Sequence, residues 1–480
     1  MASTSESPAI LSPESRPLSP PAWSTHNILM RAEVFDLRAD AYGGDPFWWA
    51  LKCSSAYAVD KSDEDLAKSI VLLARVVPPT LSALGIYFKP KDAVPFRPDP
   101  IAFIEAMDDD GVIVLAEQFH DGEESNRLIV YDSIRRSLVV VPRLSSWYCT
   151  PRLTAQPFVV RSRDGCYALA VMVSCHIYDR KLQQETGMDA LCLWPPPPRS
   201  KPHPQGSIRP WQLKQPVFPL DKPDHLWAHV TFSFQGKAFW IDLGEGVLFC
   251  EADDVLFGDY EVQFHYVPLP TECLFAQNCL NKGRTDLKWS RAISYCEADN
   301  SIKLVCIGKG CECKECGGPQ PAGDLVVSSW ALDVATWHWC SEDGGGNGFR
   351  VASLWDMSNF KKLGLPQVAP IFPLLSMQED GDNVLSFNLH DSISEYVHLC
   401  YLNLRTKVVI TSDFVSRSPT EQSVFASRFF KDMKNKDMFD LANPNDQPFP
   451  IPPKRGLNCS EEGEDMPPLV PVNKKAPGKY

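Results

Sequence analysis

Three stretches of this chain repeat one short plan: an apolar strand ending in Asp or Asn, a tight turn, and a second apolar strand. Arg127–Asp132 passes through Ser133-Ile134-Arg135-Arg136 to Ser137–Val141. Trp330–Asp333 passes through Val334-Ala335-Thr336 to Trp337–Trp339, and Tyr401–Asn403 through Leu404-Arg405-Thr406 to Lys407–Ile410. The Asp or Asn sits where its short polar side chain bonds to the backbone of the turn that follows. Hairpins of this kind, used again and again, restrict the chain to antiparallel sheet.

The copies belong to longer sets. One comprises Ala292–Glu297, Ser301–Ile307, Leu325–Asp333 and Thr336–Cys340; another comprises Ile371–Met377, Asn383–Leu389, Tyr396–Asn403 and Lys407–Thr411. His229–Phe234, Ala238–Asp242 and Val247–Cys250 form a further meander, with turns at Gln235-Gly236-Lys237 and Leu243–Gly246. Four antiparallel strands per unit, repeated, is the logic of a propeller blade. The expected fold class is therefore all-β: irregular β-propeller-like repeats of antiparallel four-stranded units. A pair of packed β-sheets is the second choice. Helix signals are few. Pro419-Thr420-Glu421 followed by Gln422–Met433 offers Thr420 as a cap and Phe425, Phe429 and Phe430 as an apolar side. Asp63–Lys68 suits a short helical turn.

Proline marks the organisation. Many of the 42 prolines fall in the termini and in one internal stretch. Residues 1–20 are a Ser/Pro-rich tail expected to be disordered, and 443–480 a second disordered tail with a Pro-rich start and an acidic Glu461–Asp465 run. Between them, 21–415 reads as the propeller-like domain and 416–442 as a C-terminal helical segment. Residues 195–223, opened by Pro195-Pro196-Pro197-Pro198, read as a long surface loop or inter-lobe linker.

Charge narrows the partners. The net charge is −13, and the one basic cluster, Lys431–Lys436, also carries acids. Phosphates need clustered Lys and Arg, so nucleic acid is disfavoured as a partner. Met1–Glu6 lacks the basic start and apolar run of a secretory signal, and no stretch approaches the ~20 apolar residues that span a bilayer. Sixteen Cys scattered through a chain of 480 residues do not read as a small secreted disulfide scaffold. The expected compartment is reducing, cytoplasmic or nuclear, with no membrane partner.

Three stretches carry a family resemblance. The first is Ser69–Val77, Pro78-Pro79 and Leu81–Phe88. The second is Ala238–Leu243 with Gly246–Cys250 and Tyr266–Pro270, and the third Arg291–Ser294 with Ile302–Val305 and Ser329–Asp333. In order and spacing these resemble a plant family, expanded in grasses, known only as domain of unknown function 1618. The resemblance spans about Trp23 to Val415. It implies a propeller-like β fold similar in style to the β domains that accompany plant F-box proteins. It transfers no functional residues, and residues 1–60 show no convincing F-box.

The sharpest chemical feature is Cys306-x4-Cys311-x-Cys313-x2-Cys316. Zinc takes four soft ligands in a tetrahedron, so these four are the candidate structural zinc site, with Cys296, His338 or Cys340 as further donors. Only Cys313-x2-Cys316 has familiar zinc spacing, and Cys306 lies in a strand, so a Cys-rich hairpin loop is the preferred reading. No other cofactor is implied. Cys175-His176 and His338-x-Cys340 place thiol and imidazole close in sequence. Adjacent strand residues face opposite sides, however, and no orienting acid accompanies the second pair. Asp108-Asp109-Asp110, Asp253-Asp254 and Asp60–Asp65 read as solvated turns, and the Gly344–Gly348 run precedes no helix that would hold a phosphate. Trp48-Trp49 and Trp337/Trp339 suit aromatic binding surfaces, but inter-sheet core is the preferred role.

No catalytic residue stands out. The expectation is a non-enzymatic protein-interaction scaffold gripping a protein partner at its loops or channel mouth. The alternative is an enzyme, hydrolase-like, with a site at the mouth of the propeller channel. The enzyme would show a cluster of perturbed titratable groups there; the scaffold, an apolar or aromatic-rimmed patch.

Overall fold

The computed structural model describes residues 28–35, 48–51, 53–58, 63–75, 82–88, 101–108, 111–118, 127–141, 144, 150–151, 157–179, 184–194, 211–223, 226–274, 284–308, 320–342, 348–377, 383–391, 396–415, 425–427 and 438–440. They form a mostly β structure in which five blades make a β-propeller, as the repeats predict. Blade 1 runs Ile101–Asp108, Val112–Gln118, Arg127–Asp132 and Ser137–Val141, with Ser55–Ala58 added in parallel at its outer edge. Blade 2 is built on Phe158–Arg161, Tyr167–Asp179, Gln184–Trp194 and Gln212–Val217. Blade 3 is Val230–Phe234, Lys237–Asp242, Gly246–Glu251 and His265–Pro268. Blade 4 is Arg291–Cys296, Ser301–Ile307, Val326–Asp333 and His338–Ser341; blade 5 is Ile371–Met377, Asn383–Asp391, Tyr396–Asn403 and Val408–Val415. The strand sets foreseen for blades 4 and 5 are the ones observed.

The near-continuous apolar runs are explained by burial on both faces, because each blade lies between two neighbouring sheets. In blade 1, Ile113 and Leu115 enter one core, shared with Leu72 and Leu84, while Val112 and Val114 enter a second core with Phe158 and Trp240. In blade 3, Ala238 and Trp240 face that second core, and Phe239 and Ile241 face Leu304 and Leu332 of blade 4. In blade 4, Ile302, Leu304 and Cys306 look back to blade 3, whereas Val305 and Ile307 look on to Leu385 and Phe387 of blade 5. Period-two alternation thus selects which neighbour a side chain packs on, with both alternatives apolar.

The Asp and Asn of the repeated hairpins bond as expected. Asp132 Oδ1 accepts the backbone N–H of Arg135 at 2.9 Å, Asp333 Oδ1 that of Ala335 at 2.8 Å, and Asn403 Oδ1 that of Thr406 at 2.8 Å. Four residues after each, Arg136, Trp337 and Lys407 adopt φ of 51°, 58° and 58°. One turn geometry therefore serves blades 1, 4 and 5, and it places a large residue in the left-handed region where Gly or Asn is the usual choice.

Two segments differ from expectation. Within 416–442, the described residues are strands: Phe425–Ser427 pairs with Ile28–Met30, and Met438–Asp440 with Trp49–Leu51. The helical segment is overturned at those residues. The physical reason is that Ile28–Phe35 and Trp48–Leu51 are sheet edges whose backbone groups demand a partner, which outweighs local helix preference. Its remaining residues, and both tails (1–20 and 443–480), lie outside the described residues. Of the stretch 195–223, Gln212–Val217 is a blade strand, and Pro216 is accommodated where it runs parallel to Glu261–Gln263. The expected short helical turn exists as Glu64–Ser69. The propeller domain therefore extends past 415: Ile28–Phe35, Trp48–Leu51, Ile70–Arg75, Ser82–Phe88, Phe425–Ser427 and Met438–Asp440 make a mixed six-stranded sheet.

The first strands of blades 4 and 5 lie side by side, and so do those of blades 1, 2 and 3 in turn, while Phe425–Ser427 lies beside the first strands of blades 5 and 1. These strands ring the central channel, with the mixed sheet between blade 5 and blade 1. Among the described residues, no helix is long and apolar enough to cross a membrane.

Candidate functional site at the channel

The channel is marked by two register breaks. The first strand of blade 1 pairs regularly with Val112–Gln118 until Ile104, then resumes at Ala106, leaving Glu105 as the bulged residue. The bulge reverses the facing of the strand, so Ile104 packs with the mixed sheet and Ala106 with blade 2. The first strand of blade 5 slips between Ile371 and Leu374, leaving Phe372 and Pro373 outside the ladder. Phe372 has a φ of 51°, an unusual conformation for a large residue and the more so before a proline.

Both breaks meet one short segment. The 3-10 turn Arg284–Trp289, just ahead of blade 4, packs on the first strands of blades 4 and 5. From it, Trp289 lays its ring on Phe372 with centroids 4.9 Å apart, and it remains 44% exposed. Its neighbour Lys288 also reaches solvent, and its ammonium interacts electrostatically with Glu105. Blades 1 and 4 stand on opposite sides of the ring, separated by blades 2 and 3 one way and by blade 5 and the mixed sheet the other. The Glu105–Lys288 interaction is therefore directed across the channel.

Glu105 is half-buried, and Lys288 crosses protein before its end reaches solvent. Burial raises the pKa of Glu105 despite the opposing pull of Lys288, and burial lowers that of Lys288 despite the support of Glu105. Ser290, next in the chain, has a buried hydroxyl with no hydrogen-bond partner among the described residues. The opening thus combines an exposed Trp289 ring against a half-buried Phe372, the Lys288 cation, and a carboxylate whose charge is costly to hold. It can grip an apolar or aromatic group and an ionic one together.

The residues singled out from the sequence lie elsewhere. Cys306 is buried between blades 3 and 4, its Sγ 3.8 Å from that of Cys273; Cys311, Cys313 and Cys316 lie outside the described residues. Among the described residues, no three His, Cys, Asp or Glu side chains group into a metal site. Cys296 is buried in blade 4, and His338 and Cys340 share the exposed face of its last strand. Cys175 and His176 are successive residues of one strand, paired with Met188 and Gly187. Trp337 stacks on Phe249 at 3.9 Å and Trp339 donates its Nε1–H to the Pro268 carbonyl at 2.9 Å, so both join blades 3 and 4 as the core reading expects. Trp48 and Trp49 pair with Arg75 and Ala74 in the mixed sheet. Asp108 ends a strand and pairs with Arg161, and Asp253 and Asp254 open the short helix Ala252–Leu256. Asp109, Asp110, Asp60 and the run 344–347 lie outside the described residues.

The channel residues themselves were missed. One signal was available: Glu105 is the lone charge inside Ile101–Met107, an otherwise apolar strand.

Fold and opening together define a β-propeller with an aromatic, charge-paired channel site. Residues 240–384 match the model of the family described as "Protein of unknown function (DUF1618)". The match runs from blade 3 into blade 5 and contains the third of the stretches on which the resemblance was read and, from Trp240 on, the second. No curated protein matches the chain. Among solved structures, it is similar to the polysaccharide lyase Uly1 at 10% identity and a TM-score of 0.33, covering 82% of this chain and 81% of that one. A thermostable family-43 glycoside hydrolase is similar at 12% identity and a TM-score of 0.28, covering 66% and 95%. The Dos1 propeller is similar at 11% identity and a TM-score of 0.28, covering 66% and 64%. Likenesses this distant carry no argument about activity.

Proposed function

We propose that this chain is a non-enzymatic protein-interaction scaffold of the cytoplasm or nucleus that seats its protein partner at the channel opening formed by Trp289, Phe372, Lys288 and Glu105. The observation that supports this is the Trp289–Phe372 pair, in which an exposed Trp289 ring rests against Phe372, a left-handed residue at the register slip of the first strand of blade 5. Strained conformations persist where the surrounding structure over-determines them, and they cluster at clamps and binding sites. A partner side chain that is aromatic or aliphatic, next to an acidic group facing Lys288, matches the opening. Hydrolysis of a glycoside uses two carboxylates, whereas the group facing Glu105 is an ammonium.

One observation favours the second reading. Glu105 and Lys288 are the perturbed titratable pair that an enzyme at the channel mouth would use, with Glu105 as acid and Lys288 as base.

The test is affinity capture of the tagged protein, with bound proteins quantified for the parent and for Trp289→Ala. The scaffold reading expects a near-stoichiometric partner that falls at least tenfold in the variant. Equal recovery from both proteins removes the opening as the binding site. A parent that captures no partner shifts the search to small-molecule turnover, with Glu105→Gln as the diagnostic variant.

A further inference from the structure

The contact between Cys273 and Cys306 is unused by the channel site. Cys273 lies in the 3-10 turn Thr271–Cys273, where the chain leaves blade 3, and Cys306 lies in the second strand of blade 4. Their Sγ atoms are 3.8 Å apart, and both side chains belong to the core shared by the two blades. Cys273 is buried, but the turn that carries it lies at the surface: Glu272 before it and Leu274 after it are exposed. Beside the thiols stands the buried guanidinium of Arg291, which donates to the Leu243 carbonyl and, at 2.6 Å, to the Cys273 carbonyl. The contact between the thiols holds the Cys306 pKa down and pushes that of Cys273 up, burial adds to the rise at Cys273, and the Arg291 charge pulls both toward the thiolate.

Two thiols in contact suit either a metal or a disulfide. A metal needs further donors, and no third His, Cys, Asp or Glu joins the pair among the described residues. The adjacent guanidinium also repels a second cation while stabilising a thiolate nucleophile. We infer that Cys273 and Cys306 form a redox-controlled disulfide that staples blade 3 to blade 4 when a small disulfide oxidant, RSSR, is present.

The exchange balances. When its short turn opens, Cys273 leaves the thiol contact and the burial that hold its proton; it loses that proton, and the thiolate attacks one sulfur of RSSR, forms a mixed disulfide and expels RS⁻. Cys306 then attacks the Cys273 sulfur, forms the intramolecular bond and expels the second RS⁻. The protein loses two protons and two electrons, and RSSR leaves as two RSH. The sulfurs must close from 3.8 Å to about 2.05 Å, a movement within reach of a three-residue turn flanked by exposed residues. The bond spans 33 residues of sequence, so it restricts the unfolded chain and raises the melting temperature.

The test incubates the whole protein with oxidised glutathione, caps remaining thiols after denaturation, and digests without reduction for mass spectrometry. The expected result is a cross-linked peptide pair containing Cys273 and Cys306, lost on reduction, with Tm raised by several degrees over the reduced protein. Cys306→Val, which keeps the position apolar, should abolish both the cross-link and the Tm rise. Glutathione adducts confined to the exposed Cys53, Cys166 and Cys340, with Cys273 and Cys306 both capped, would overturn the inference. So would stoichiometric zinc in the purified protein whose removal is what exposes the pair to capping. A Tm rise that survives Cys306→Val would assign the effect to other thiols.

Discussion

The junction between blades 1 and 2 and the junction between blades 3 and 4 join similar sheets by different chemistry. At the first, Arg161 of blade 2 holds Asp108 of blade 1 through Nε at 2.7 Å and also through Nη2, while its guanidinium lies 5.1 Å from the Tyr167 ring centroid. The Tyr167 hydroxyl donates to Asp132 Oδ2 at 2.8 Å, and Arg135 Nε lies 3.4 Å from the same oxygen. At the second junction the ties are rings. Trp337 stacks on Phe249, Phe234 on Tyr295 at 4.9 Å, and Phe232 contacts both Tyr295 and Phe239. A polar junction fixes the angle between blades by directional bonds and depends on protonation. An aromatic junction depends on buried area and shape. The lesson is that the repeat dictates the blade, while the seam between blades is free to vary.

The comparison breaks most readily at the aromatic seam. Phe239 is fully buried there. Phe239→Ala removes a ring that contacts Phe232 and Phe249 and should cost about 4 kcal/mol, read as a shift in denaturant midpoint at unchanged slope. A cost below about 1 kcal/mol would mean that the seam collapses around the gap and that the rings do not carry it.

At the polar seam, Arg161→Met should cost about 3 kcal/mol, because Arg161 is only 9% exposed and its loss leaves Asp108 without its guanidinium. Adding Asp108→Leu should recover much of that loss, since a well-packed apolar pair replaces a buried ion pair at little net cost. Failure of the double variant to recover would show that the pair sets the blade angle in a way that apolar packing does not reproduce.

This division also explains what the sequence revealed. Blade strands were legible because burial on both faces leaves long apolar runs, and the hairpins were legible because Asp132, Asp333 and Asn403 act locally, within three residues of themselves. The seams were not. Nothing near Arg161 in sequence points to Asp108, 53 residues away, and nothing near Trp337 points to Phe249. The Phe425–Ser427 strand was hidden for the same reason: its partner, Ile28–Met30, lies at the other end of the chain. Amphipathic spacing in 419–433 spoke for a helix, and at Phe425–Ser427 a long-range sheet edge prevailed. The channel site was half visible. A single Glu in an apolar strand marks Glu105, but the register slip that presents Phe372 to Trp289 depends on pairing with Asn383–Asp391.

The smallest expected effect separates the seams by pH. Tyr167→Phe deletes one hydrogen bond to Asp132 and should cost about 1 kcal/mol near neutral pH. Burial, with the Asp132 charge next, raises the Tyr167 pKa well above its ordinary value of 10.0. The folded protein therefore keeps a proton that the unfolded chain releases above about pH 10, so stability falls as pH rises beyond that point. The variant has no such proton to lose and should show a shallower decline in Tm between about pH 9 and pH 11. The decline should not vanish, because burial also pushes Tyr57, beside the same seam, up to about 12. Phe239→Ala should shift Tm downward in parallel with the parent across that range, since no titrating group is removed. If Tyr167→Phe also runs parallel to the parent, the blade 1–2 junction is held by packing in the same manner as the blade 3–4 junction, and the proposed contrast between them disappears.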